Sequence, residues 1–246
     1  MCDLHRDTTD RPSPPGAIPT QIRWSIERRI RASPGPPPLG FIKLYNAGNF
    51  FDAASIPPSD YAEIADLCAP FERVIVENHP RIGRSRHRRW SQHRRSTEIA
   101  IGLESVQPGW HDAMDKQTTR DEIDAYAAEV IAGGGTVRCF VIFGYPGQTV
   151  AESVRWTRLT VRHAAAIGAR HVSIVPARVG EGWNGRGGEL PTITPEDCLT
   201  VLTSVLGDGD SRDGGPVVAV DTWAMDRCPI VDRIETLSRR QRVWSR

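Results

Sequence analysis

Five short polar segments carry most of the side chains able to do chemistry: Asn46-Ala47-Gly48-Asn49, Glu77-Asn78-His79, Glu104-Ser105, Gly144-Tyr145-Pro146-Gly147-Gln148-Thr149 and Pro176-Ala177-Arg178. Each follows a β-branched or apolar run. Amides and a carboxylate offer hydrogen bonds, and glycine lets a ligand approach the backbone where a Cβ would hinder it. The five cysteines, Cys2, Cys68, Cys139, Cys198 and Cys228, are odd in number and far apart, so they form neither a disulfide framework nor a zinc pattern. Cys68, Cys139 and Cys198 fall inside apolar or helical patterns and read as small buried hydrophobes.

The elements that must position these groups alternate. Runs at 41–45, 73–77, 98–103, 137–143, 171–175 and 217–220 read as strands, and their near-continuous apolarity suits a parallel sheet covered on both faces. Helices are expected from Pro19 to Arg31, from Pro57 to about Ala69, from Thr118 to the Gly133-Gly134-Gly135 stop, and from Gln148 to about Gly168. One more begins at Thr194-Pro195, with Thr194 as N-cap and Pro195 at the first helical position. Alternation of this kind means a (β/α) sheet with right-handed crossovers, and periodicity leaves an open barrel and a doubly wound sheet both standing. In either, functional groups gather at the carboxyl ends of the strands, where the five polar segments fall.

Composition narrows the class. The chain has 246 residues, 39% hydrophobic and 25% charged, with a formal net charge of +1. That is a globular chain of one domain, 1–246, and not a disordered one. No apolar stretch reaches 18 residues and the first residues lack an apolar signal region, so no membrane partner and a cytoplasmic location are expected. Charge is uneven. Arg81 to Arg95 holds seven arginines, two histidines and no acid, in the slot of a crossover helix but with only Ile82 and Trp90 as apolar residues. The segment 81–97 reads as an eroded or disordered helix, a solvated charge run, or a phosphate-binding patch for RNA.

The segments resemble the Elp3/MiaB-like radical S-adenosylmethionine (SAM) family, in particular its archaeosine-synthase-like group, from Cys2 to roughly Leu237. Phe-Gly-Tyr-Pro-Gly-Gln-Thr (143–149) and His-Val-Ser-Ile-Val-Pro (171–176) are similar to its fifth and sixth strand region. Ile-Gly-Leu-Glu-Ser (101–105) is similar to its fourth-strand motif, and Lys-Leu-Tyr-Asn-Ala-Gly-Asn-Phe (43–50) falls at its Gly-rich turn.

The resemblance implies a partial (β/α)6 barrel of TIM type lacking its first strand, with an exposed sheet edge prone to aggregation. It implies SAM and a [4Fe–4S] cluster as cofactors, since thiolates suit iron–sulfur clusters. Cys2 would be the last of three cluster ligands in a Cys-x3-Cys-x2-Cys loop whose other two members fall before Met1. The chain is therefore expected to be an amino-terminally truncated or misassigned form of a whole enzyme, or else a degenerate, non-catalytic barrel without a cluster. Gly48, with Asn46 or Asn49, would contact the SAM amino group. Glu104 would accept from the ribose hydroxyls, and the Gly144 to Gly147 turn would lie against the adenine. The reaction implied is reductive cleavage of SAM to a 5′-deoxyadenosyl radical, with a flavodoxin or ferredoxin as reductant and an unknown substrate for which RNA is one candidate. His79, Asp221 and Trp223 are rim candidates that packing explains equally well, and Cys228 is a candidate remnant of a second metal site. An unrelated (β/α) enzyme is the remaining alternative.

Overall fold

The computed structural model describes residues 10–32, 40–45, 48–178, 185, 188–207, 215–223 and 225–244. Strands β1 (Phe41–Leu44), β2 (Arg73–Glu77), β3 (Thr97–Glu104), β4 (Thr136–Phe143), β5 (His171–Pro176) and β6 (Val217–Val220) form one six-stranded sheet in the order β1-β2-β3-β4-β5-β6. The pairings β1–β2, β2–β3, β4–β5 and β5–β6 are parallel, with Phe41 opposite Arg73, Val74 opposite Thr97, Arg138 opposite His171 and His171 opposite Val217. A doubly wound sheet reverses its strand order at a switch point. Here each strand lies beside its successor, which is the topology of a partial (β/α) barrel.

Helices alternate with the strands: α1 (Ala17–Ala32), α2 (Tyr61–Leu67, preceded by a 3-10 turn at Pro58–Asp60), α3 (Arg84–His93), α4 (Trp110–Ala113), α5 (Arg120–Ala132), α6 (Val150–Ala166), α7 (Pro195–Gly207) and α8 (Pro229–Trp244). The start signals act as expected. Thr149 and Glu152 close a reciprocal capping box on α6, and Thr194 with Asp197 does the same for α7, each satisfying backbone N–H groups that a helix end leaves orphaned. Thr119 and Glu122 cap α5 in the same way. The α8 helix is a finding of the structure alone. It buries Val231, Ile234 and Ser238, and its last turns carry Arg239, Arg240 and Arg242.

The contacts divide the chain into two compact units, one of Leu4–Ala100 with Val130–Thr136 and one of Ile101–Glu129 with Val137–Arg246. In the first, Phe50, Phe51, Tyr61 and Trp90 are fully buried in an aromatic cluster, with Phe50 and Trp90 ring centroids 5.0 Å apart. The α3 helix contributes to it although arginines dominate its sequence. Trp90 and His87 fill its inner side, and the Trp90 indole donates to Thr97 Oγ1 at 2.9 Å. Three arginines of the segment are used internally. Arg84 donates to the Pro80 carbonyl, Arg86 to that of Phe51, and Arg94 to those of Cys68 and Phe71. In the second unit, Val137, Cys139, Val141 and Phe143 of β4, Val172 and Ile174 of β5, and Val201 and Leu202 of α7 are all buried.

Candidate functional site

In the unit that holds β1 and β2, the strand ends are tied to one another by amides. The Asn49 side chain accepts from the His79 N–H at 2.6 Å, and the Phe50 N–H donates to the Glu77 carbonyl at 2.8 Å. Asn78 is buried, accepts from the Phe51 N–H at 3.3 Å, and donates to the His79 and Ile82 carbonyls at 2.9 and 2.8 Å. Gly83, with φ +67°, closes the turn into α3, and a Cβ there would lie 2.2 Å from the Phe51 carbonyl oxygen. Gly48 stands at the head of this turn; Asn46 and Cys2 lie outside the described residues.

The second unit holds Glu104, Gly144 and Gly147. Glu104 ends β3 with a left-handed backbone, φ +61°, unusual for a residue with a side chain. Its carboxylate accepts from Lys116 Nζ at 2.6 Å, and the two side chains are 16% and 20% exposed, so the pair is shielded but reachable. Both lie over Gly102. A Cβ on Gly102 would come within 2.2 Å of Glu104 Oε1 and 2.4 Å of Lys116 Nζ, so glycine two residues before the strand end makes the room they occupy.

The loop after β3 is anchored on both sides. Val106 N–H donates to Thr160 Oγ1 at 3.1 Å, Gln148 donates to Gln107, and Trp110 packs its ring 5.7 Å from that of Tyr145. Beyond Glu104 it lines an open groove of about 380 Å3 with Ser105, Gln107, His111, Thr118 and Arg120 on its walls. The turn after β4 is likewise enclosed by its own chain. Gly147 N–H donates to the Glu189 carbonyl at 2.8 Å, and a Cβ on Gly144, φ +98°, would meet Ile193 at 2.9 Å. Gln148 accepts from the Ser153 hydroxyl, and Thr149 caps α6, whose Glu152 carboxyl is held below its ordinary range by hydrogen bonds from the Thr149 backbone and hydroxyl. Trp223 is 83% exposed beyond β6, with the Arg178 guanidinium 4.9 Å from its ring centroid.

Sequence reasoning named Glu104, Gly144 and Gly147, which the structure gathers in one unit, and Gly48 and Asn49, which lie in the other. It missed Lys116. The lysine sits 12 residues beyond Glu104 in a loop with no periodicity, and the available signal was the glycine at 102.

Three of the described cysteines, Cys68, Cys139 and Cys198, are core residues that do not fit an iron–sulfur cluster. Burial pushes the Cys68 thiol up to about 11 and those of Cys139 and Cys198 up to about 12, whereas cluster ligands must be thiolates. No cluster of three His, Cys, Asp or Glu able to hold a metal exists among the described residues. Glu104, the residue directed at the ribose, is a shielded carboxylate at the end of β3, a group able to accept from a diol.

No protein-family model and no curated protein matches the chain. Solved structures do. The Methanocaldococcus infernus Elp3 with an amino-terminal deletion aligns with a TM-score of 0.61 at 14% identity, covering 95% of this chain and 61% of that one. Streptococcus suis SuiB bound to S-adenosylmethionine aligns at 0.54 and 10%, covering 92% and 49%. SuiB bound to its precursor peptide SuiA aligns at 0.56 and 11%, covering 95% and 47%. The chain thus spans about half to three fifths of the length of these proteins. Six sequential parallel strands, alternating helices and these alignments give the chain a partial (β/α) barrel, the fold it shares with Elp3 and SuiB.

Proposed function

We propose that the chain is a radical SAM-type unit whose strand ends bind S-adenosylmethionine. The observation that carries this reading is the shared sheet topology with SuiB, which was solved with that ligand bound. Glu104 accepts from the ribose hydroxyls and the Gly144 to Gly147 turn lies against the adenine, both within one unit. The chain's own residues bind, orient and shield the ligand; a [4Fe–4S] cluster, when bound, would supply the electron for cleavage to a 5′-deoxyadenosyl radical.

That finer reading of cleavage rests on Cys2 and two further thiolates, with a flavodoxin or ferredoxin as electron source. The second reading is a barrel that keeps the ligand without a cluster, in which Cys68, Cys139 and Cys198 serve only the core. Anaerobic incubation of the full chain with iron and sulfide, followed by metal analysis and calorimetric titration with SAM, separates them. SAM binding with about four irons per chain supports cleavage. SAM binding without iron supports the non-catalytic barrel, and no SAM binding removes both.

RNA as a substrate rests on the exposed arginines of the α3 region, Arg88, Arg89 and Arg95. Replacing them with serine is expected to weaken RNA binding and flatten its salt dependence. Unchanged affinity disposes of the RNA reading. No described helix is long and apolar enough to cross a membrane.

A further inference from the structure

Three non-glycine residues among those described have left-handed backbone: Glu104 at φ +61°, Asp115 at +54° and Gln117 at +52°. All three belong to one device, because Asp115 and Gln117 flank Lys116, the residue that grips Glu104 at 2.6 Å. An L-residue in this region costs free energy, and such strain persists where the surroundings over-determine the geometry. The turn that presents Lys116 is held by backbone bonds. The Asp115 N–H donates to the Asp112 carbonyl at 3.1 Å and the Lys116 N–H to that of His111 at 2.9 Å. Across the strand, Gly102 leaves the space that the carboxylate and ammonium share.

We propose that Lys116 is a positioning residue for Glu104, and that the pair sets which S-adenosyl ligand the strand end accepts. This rests on the binding reading above. The lysine fixes the carboxylate over Gly102 and balances its charge in a shielded place, where a charge is screened less than in water. The balanced pair then meets the ligand's neutral diol through hydrogen bonds and adds little net attraction for the ligand's sulfonium cation. S-adenosylmethionine and its neutral, demethylated analogue, S-adenosylhomocysteine, are therefore held comparably by this strand end. Without the lysine, Glu104 would present a bare anion and favour the cation.

The test uses the full chain and two readouts. In calorimetric titrations at low ionic strength, Lys116→Met is expected to raise the ratio of S-adenosylmethionine to S-adenosylhomocysteine affinity about fivefold, and high salt should shrink that gain. Lys116→Arg should restore the wild-type ratio. A ratio unmoved by Lys116→Met, or moved equally at all salt concentrations, overturns the charge-balancing role, since a merely structural lysine would alter both affinities together.

The second readout needs no ligand. Lys116→Met should lower the urea midpoint of the wild-type chain but leave that of the Glu104→Gln chain unchanged. Additive effects overturn the positioning role. A wild-type chain that binds neither ligand contradicts the S-adenosyl reading and the ligand selection with it, while this cycle still decides whether Lys116 positions Glu104.

Discussion

Two glycines, one at the turn into α3 and one inside β3, show how differently the units are built. At Gly83, in the unit that holds β1 and β2, an added Cβ would strike backbone, 2.2 Å from the Phe51 carbonyl oxygen and 2.5 Å from the Phe51 Cβ. Around it, Asn49 and Asn78 spend their amides on main-chain groups of the same turn. At Gly102, in the other unit, an added Cβ would strike only the tips of Glu104 and Lys116. The first glycine serves the fold. The second makes room for the Glu104–Lys116 pair at the end of β3. Arg84 and Arg86 of α3, with Arg94 just after it, belong with the first kind, because carbonyls of their own unit take them up. Charge density in a sequence is thus a weaker guide to a ligand than a shielded charge at a strand end.

Gly83→Ala is the largest expected break. It combines a left-handed backbone with a contact that only main-chain movement can relieve, and should cost on the order of 3 kcal/mol in urea unfolding. A loss below about 1 kcal/mol would mean the turn is looser than its contacts imply.

Gly102→Ala should do the opposite. Flexible side-chain ends can swing away, so stability should fall by less than about 1 kcal/mol, while SAM affinity falls about tenfold because Glu104 is displaced. Equal losses in both measurements would erase the distinction between the two glycines.

The smallest effect concerns the cap beside the β4 turn. The Glu152 carboxyl is depressed in the folded chain, so its contribution is present above the ordinary carboxylate range and is lost as pH falls through the depressed value. Glu152→Gln should flatten the acid limb of stability against pH, and Thr149→Ala should cost about 1 kcal/mol.

Much of this architecture was readable from residues. The β-branched run Arg73–Glu77 and the run Val217–Val220 gave strands with the observed bounds, and Thr149, Thr119 and Thr194 marked helix starts because their side chains can satisfy orphan N–H groups. The α8 helix escaped because it buries few of its residues, and a proline after Cys228 reads as a loop as readily as a helix start. The helical state of α3 rests on Trp90, His87 and arginine bonds to carbonyls, none of which apolar periodicity can register. Glu104 was legible from its place after a strand. Lys116 was not, because a connection that includes α4 brings it back, with left-handed Asp115 and Gln117 on either side of it. Cys2 and Asn46 lie outside the described residues.

The most direct test of the account is calorimetric titration of S-adenosylmethionine into the wild-type full chain and into Glu104→Gln. The account predicts saturable binding to the wild type and a loss of about tenfold or more in the variant, because the amide keeps the shape but loses the charged acceptor for the ribose hydroxyls. Equal affinities would remove Glu104 from the site, and no binding to the wild type would contradict the proposed function itself.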